Sequence, residues 1–162
     1  RLRLPAASTV IEPAALLRMP GETSFAELVA LGRRPPEACI LYIEDNPVNV
    51  MLVEELVATR PELRVVCEPT GAAGVRRALE LMPDLVLVDM RLPDFDGYEV
   101  LRRLRAEPAT AQIPCIALSA DAMPAHVARA LEVGFAAYWT KPLDVGMFLA
   151  SLDALFAPVG PP

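Results

Sequence analysis

From residue 38 onward, short apolar runs alternate with longer stretches whose apolar positions recur every three to four residues. The runs lie at 39–43, 64–67, 85–88, 115–118 and 136–139, and their length and Val/Ile/Leu content predict strands. The spacing between them predicts helices over 47–59, 71–82, 96–106, 124–133 and 145–156. In the first helix Val50, Leu52, Val53, Leu56 and Val57 recur at helical spacing, with Glu54 and Glu55 on the other side. Asn46 before Pro47 suits a cap followed by the first helical position. The first and third runs are almost continuously apolar, as in strands covered on both faces. Five strands alternating with five helices predict an α/β fold with a parallel sheet between two helical layers.

Residues 1–37 break this pattern. They hold five of the 17 prolines, the basic groupings Arg1/Arg3 and Arg33/Arg34, and no sustained periodicity. A short helix is expected over 24–31, with Ser24 as cap and Phe25, Leu28, Val29 and Leu31 on one side. Arg33, Arg34, Pro35 and Pro36 read as a linker. The expected organisation is an N-terminal extension over 1–37, a folded domain over 38–157 and a tail over 158–162. The first residue is Arg and no signal-peptide pattern follows, so a piece of a longer or processed chain is expected. No output domain is expected after the fifth helix.

Composition narrows the class of function. No apolar run reaches the ~20 residues that span a bilayer, so no membrane contact is expected. The net charge is −6, and from residue 38 onward 10 Lys+Arg face 17 Asp+Glu, which leaves no basic footprint for nucleic acid. Cys39, Cys67 and Cys115 are scattered without metal-ligand spacing, and a reducing, cytoplasmic setting is expected. Of the 15 basic residues only Lys141 is a lysine, which draws attention to a place where a compact ammonium serves better than a guanidinium.

In an open parallel sheet, chemistry gathers outside the carboxyl ends of the strands. Glu44 and Asp45 follow the first run, Asp89 the third, Ser119 the fourth, and Thr140-Lys141-Pro142 the fifth. Three carboxylates on one rim would repel unless a cation neutralised them. Oxygen donors of this kind suit Mg²⁺ (or Mn²⁺), which keeps waters that a phosphate can replace. A Ser hydroxyl and a Lys ammonium opposite would hold phosphoryl oxygens, and an Asp can be the nucleophile itself. Singly, each residue has a plainer reading: the acidic pair as a helix N-terminus, Ser119 as a cap, Lys141 as a surface charge. Their joint order is the signal.

With these motifs in this order, the segment 40–156 resembles a response-regulator receiver domain. The resemblance implies a flavodoxin-like doubly wound sheet of strand order 2-1-3-4-5. It implies that Asp89 is the phosphoacceptor, that Asp45, Asp89 and the backbone carbonyl of Arg91 ligate Mg²⁺, and that Glu44 acts through water. Gly97 matches the glycine after the phosphoacceptor loop, Ser119 and Tyr138 the switch pair, and Lys141-Pro142 the lysine with its following proline, usually cis. Glu44 stands where the family often has Asp, and Ser119 where it often has Thr.

The resemblance further implies partners: a histidine kinase or histidine phosphotransfer protein as donor and a downstream protein target. A homodimer through the face of the fourth helix, fifth strand and fifth helix is an option. The domain is not expected to be an enzyme beyond its own phosphorylation and dephosphorylation. The wording around Glu44 and Ser119 is similar to the C-terminal receiver of hybrid sensor histidine kinases. A stand-alone single-domain regulator and a phosphorylation-independent docking module are the alternatives. A small flavin-binding protein of the same fold would need a Ser/Thr/Gly-rich loop after the first strand, where Glu44-Asp45 would repel a phosphate. Arg91 and Asp121 are expected to pair across the pocket and hinder attacking water, and His126, the only His, reads as a surface residue.

Overall fold

The computed structural model describes residues 38–157; the expected linker, its short helix and the tail lie outside the described residues. The elements alternate as the periodicity predicts: β1 (Ala38–Ile43), α1 (Pro47–Ala58), β2 (Leu63–Glu68), α2 (Gly71–Leu81), β3 (Leu85–Asp89), α3 (Gly97–Ala106), β4 (Cys115–Ser119), α4 (Pro124–Val133), β5 (Ala137–Thr140) and α5 (Val145–Phe156). All neighbouring strands pair in parallel. Their order is β2-β1-β3-β4-β5, the flavodoxin-like arrangement.

Strand alternation divides the core. Ile40, Tyr42, Leu85, Leu87, Ile116, Leu118 and Trp139 face α1 and α5, where Val53, Val57, Phe148 and Leu152 meet them. Leu41, Ile43, Val86, Val88, Ala117 and Tyr138 face the other way, against Ala78 of α2, Val100 and Leu104 of α3, and Val127 and Ala130 of α4. Both sides of β1, β3 and β4 are therefore covered, which is why those runs are almost wholly apolar. Each such Leu, Ile or Val contributes about 1.5–3 kcal/mol relative to an exposed one.

Local chemistry sets the helix starts. Asn46 Oδ1 accepts from the Val48 N–H at 3.0 Å with Pro47 in the first turn. Thr70, Asp96 and Asp144 cap α2, α3 and α5 in the same way. Gly134, at φ 118°, ends α4 in the left-handed region.

All strands but β1 end one residue later than their apolar runs. Asp89 pairs with Leu118, and Ser119 with Thr140, as the last ladder positions of their strands. Asp89 and Ser119 are thus held by sheet pairing. β1 lies between β2 and β3, so the strand order reverses there and opens a crevice beyond the carboxyl ends of β1 and β3.

Candidate functional site

Four of the residues singled out in the sequence meet at that crevice. Carboxylate oxygens of Glu44, Asp45 and Asp89 lie within 4.8 Å of one another. Glu44 and Asp89 are buried, at 2% and 6% exposure, and Asp45 is open to solvent. Lys141 Nζ bridges the buried pair, 2.5 Å from Glu44 Oε2 and 3.2 Å from Asp89 Oδ2. It arrives from the end of β5, where its N–H donates to the Ser119 carbonyl at 2.8 Å and its bond to Pro142 is cis. The other Asp89 oxygen accepts from the Arg91 N–H at 3.1 Å.

The two buried carboxyls are driven apart. Burial pushes Asp89 up to about 6, against the Arg91 N–H and the Lys141 charge, with neighbouring Glu44 adding to the rise. Burial also pushes Glu44 upward, but the Lys141 and Asn46 donors outweigh it and hold that carboxyl below the usual range. Of the two, Glu44 is therefore the stronger acid and Asp89 the weaker. Three carboxylates and no thiol or imidazole form a hard, oxygen-only set, which fits Mg²⁺ or Mn²⁺.

Beside this centre, the loop after β4 forms a linked unit. Ser119 Oγ accepts from the Asp121 N–H at 3.1 Å, and the Tyr138 hydroxyl donates to the Asp121 carbonyl at 2.6 Å. Tyr138 is 2% exposed, turned into the core. Gly97 opens α3 against the strand end: a Cβ there would stand 2.5 Å from Met90 Sδ, 3.1 Å from Met90 Cα and 3.3 Å from the Asp89 carbonyl. A side chain at that position would press on the backbone that carries Asp89.

A family model described as the response regulator receiver domain matches residues 40–153. The chain belongs to the receiver-domain family. It is 31% identical over 115 residues to the polar-differentiation response regulator DivK of Brucella ovis, covering 71% of this chain and 93% of DivK. The DNA-binding dual master transcriptional regulator RpaA of Synechocystis is 35% identical over 119 residues, covering 72% of this chain and 48% of RpaA. The receiver thus spans about half the length of RpaA. Among solved structures, the receiver domain of the sensor histidine kinase PA1611 of Pseudomonas aeruginosa is 33% identical with a TM-score of 0.65, covering 72% of this chain and 95% of that one. That receiver was crystallised with a magnesium ion coordinated in its active-site cleft. This chain is accordingly a two-component signalling receiver with the receiver fold.

Within this receiver the expected Arg91–Asp121 pair does not form. Among the described residues no ion pair joins them; the Asp121 carboxylate takes the Met123 N–H at 2.9 Å and the ring Nδ1 of His126. Arg91 acts on Asp121 only through its field, one of the smaller influences that hold that carboxyl low. His126 is on the surface, as expected, yet it is tied to the loop that bears Ser119. Other contributors have no sequence motif. The Tyr42 hydroxyl and Asn49 Nδ2 donate to Glu44 Oε2 at 2.9 and 3.2 Å. Asp94 accepts from the Gly71 and Ala72 N–H groups at 2.9 and 2.8 Å, fastening the loop after β3 to the start of α2. Tyr42 was within reach of a period-2 reading, since it sits two residues before Glu44 on the same side of β1. The Asp94 contact joins residues more than 20 positions apart and leaves no local trace.

Proposed function

We propose that this receiver takes a phosphoryl group from a phosphohistidine onto Asp89, with a divalent cation, and is switched by it. The observation that carries the proposal is the lone lysine bridging Glu44 and Asp89 beside a third carboxylate. Asp45, Asp89 and the Arg91 carbonyl would hold Mg²⁺ directly and Glu44 through water. The bound cation supplies charge neutralisation for the carboxylates and for the incoming phosphoryl oxygens.

Asp89, as carboxylate, attacks phosphorus; the new O–P bond forms as the P–N bond to the donor imidazole breaks, and the imidazole leaves with the bonding pair and takes up a proton. Lys141 and Ser119 hold the transferred oxygens. The added charge of about −1.5 to −2 at neutral pH then pulls on Ser119. Because Asp121 joins Ser119 to Tyr138 by two hydrogen bonds, that pull reaches β5 and the face made of α4, β5 and α5. In this reading 38–157 is the receiver and 1–37 an extension that leads into it.

The likeness to a sensor-kinase receiver favours the C-terminal receiver of a hybrid histidine kinase, acting in the cytoplasm with a kinase or phosphotransfer protein as donor. The near-complete coverage of DivK supports a second reading, a stand-alone regulator. Incubation with acetyl phosphate and Mg²⁺, followed by intact mass, tests the chemistry. The native chain should gain one phosphoryl group, and neither Asp89→Asn nor a metal-free sample should. A native chain that gains none under these conditions would overturn the proposal.

A further inference from the structure

Glu44 is crowded with donors in an uneven way. Its Oε2 receives three: the Tyr42 hydroxyl at 2.9 Å, Asn49 Nδ2 at 3.2 Å and Lys141 Nζ at 2.5 Å. Its Oε1 receives one, the Asn46 N–H at 3.1 Å. Three donors exhaust what one carboxylate oxygen can accept, so only Oε1 has capacity left for a cation's water shell. Tyr42 is itself fully buried, its ring packed in the core under α1 and α5. A buried phenol needs a partner, and a buried carboxylate needs several. Each meets the other's need, and neither can turn away cheaply.

The arrangement has a consequence for the lysine. Lys141 is shared between Glu44 and Asp89, yet phosphoryl transfer requires it on the transferred oxygens. A carboxylate at 2% exposure, abandoned by its cationic partner, would resist that move. Two neutral donors that stay behind remove much of the resistance.

We propose that Tyr42 and Asn49 are positioning residues: they fix Oε2 of Glu44, turning Oε1 to the cation and releasing Lys141 to the phosphoryl group. This rests on the phosphoacceptor reading above. Tyr42 acts through Glu44 and Lys141 and touches no reacting atom.

The test is a double-mutant cycle on the full chain, with Tyr42→Phe, Glu44→Gln and the pair, and with Asn49→Ala as a second probe on the half-buried start of α1. Two quantities are read: Mg²⁺ affinity by calorimetry with the metal alone, and the phosphorylation rate from acetyl phosphate at saturating Mg²⁺. Tyr42→Phe keeps the ring and the core. It should weaken Mg²⁺ binding several-fold and slow phosphorylation about tenfold, the effect of one hydrogen bond to a charged group. With Gln at position 44 the charge that the donors serve is gone, and Tyr42→Phe should change either quantity by less than about twofold. Equal losses in both backgrounds, or no loss in the native one, would overturn the inference. A native chain that binds Mg²⁺ but accepts no phosphoryl group would sink the phosphoacceptor reading alone, and the affinity cycle would still decide the role of Tyr42.

Discussion

At the scale of single residues, the metal-free site is a place where the fold works against itself. Asp89 ionises near 3.8 when solvated but is pushed up to about 6 in the folded chain. Between those values the folded state binds a proton that the unfolded state does not, so stability rises as pH falls through 6 and is reduced above it. Glu44 runs the other way: its depressed ionisation stabilises the fold above about 4.5, and that contribution is lost only at lower pH. The interval from about 4.5 to 6 therefore reports Asp89. Asp89→Asn removes the buried charge, leaving Lys141 to Glu44. In a chelator at neutral pH the variant should be more stable than the native chain, by an order of 1–3 kcal/mol. The gap should shrink to roughly half at pH 5 and disappear only as the pH approaches 3.8. Thermal or urea unfolding of both proteins across this range measures it, and a gap that stays constant with pH would refute the assignment.

At the scale of elements, the loop between β3 and α3 is fastened from outside. Asp94 accepts two N–H groups at the start of α2, and Phe95 lies against Gly71, whose Cβ would come within 2.3 Å of the ring. The Arg103 guanidinium covers the ring 4.2 Å from its centroid. The segment carrying the Arg91 carbonyl is thus held by α2 as well as by the strand it leaves. Asp94→Ala strips two acceptors from a helix start and should lower stability by about 1 kcal/mol. If the fastening also shapes the cation site, Mg²⁺ affinity should fall several-fold, and calorimetry with thermal unfolding separates the two. Lower stability with unchanged affinity would confine Asp94 to capping. This link also marks the limit of what the sequence makes legible. Strands, helices, the cap at Asn46 with Pro47 after it, and the gathering of Glu44, Asp45, Asp89 and Lys141 follow from periodicity and from which polar residues follow each apolar run. Periodicity does not specify which loop meets which distant helix start, nor that Asp121 turns to His126 instead of Arg91. Those choices are made by loop geometry.

At the scale of the whole molecule, one feature violates the usual division between a buried and a solvated face. α1 packs Val53 and Val57 on the sheet, yet its opening turns leave Val48 71% and Met51 61% exposed, with Leu52 beside them. A helix on the outside of a sheet is ordinarily polar there. α5, on the same sheet face, begins with exposed Val145 and Met147. Both sets follow residues of the carboxylate–lysine cluster in the chain, Val48 three positions after Asp45 and Val145 four after Lys141. Exposed apolar groups rimming a polar cleft suit a protein donor that must bring its phosphohistidine into the cleft. A small phosphodonor needs no such surface, which separates docking from chemistry. Val48→Lys and Met51→Lys should leave phosphorylation by acetyl phosphate within about twofold, since neither side chain is placed in the carboxylate cluster. Transfer from the phosphorylated kinase or phosphotransfer protein that serves the native domain should slow tenfold or more, because a lysine charge buried without a partner in an apolar docking patch is costly. Equal slowing with both donors would mean that the substitutions disturb the site through α1. Unchanged rates with both would move the donor's footprint to another face of the receiver.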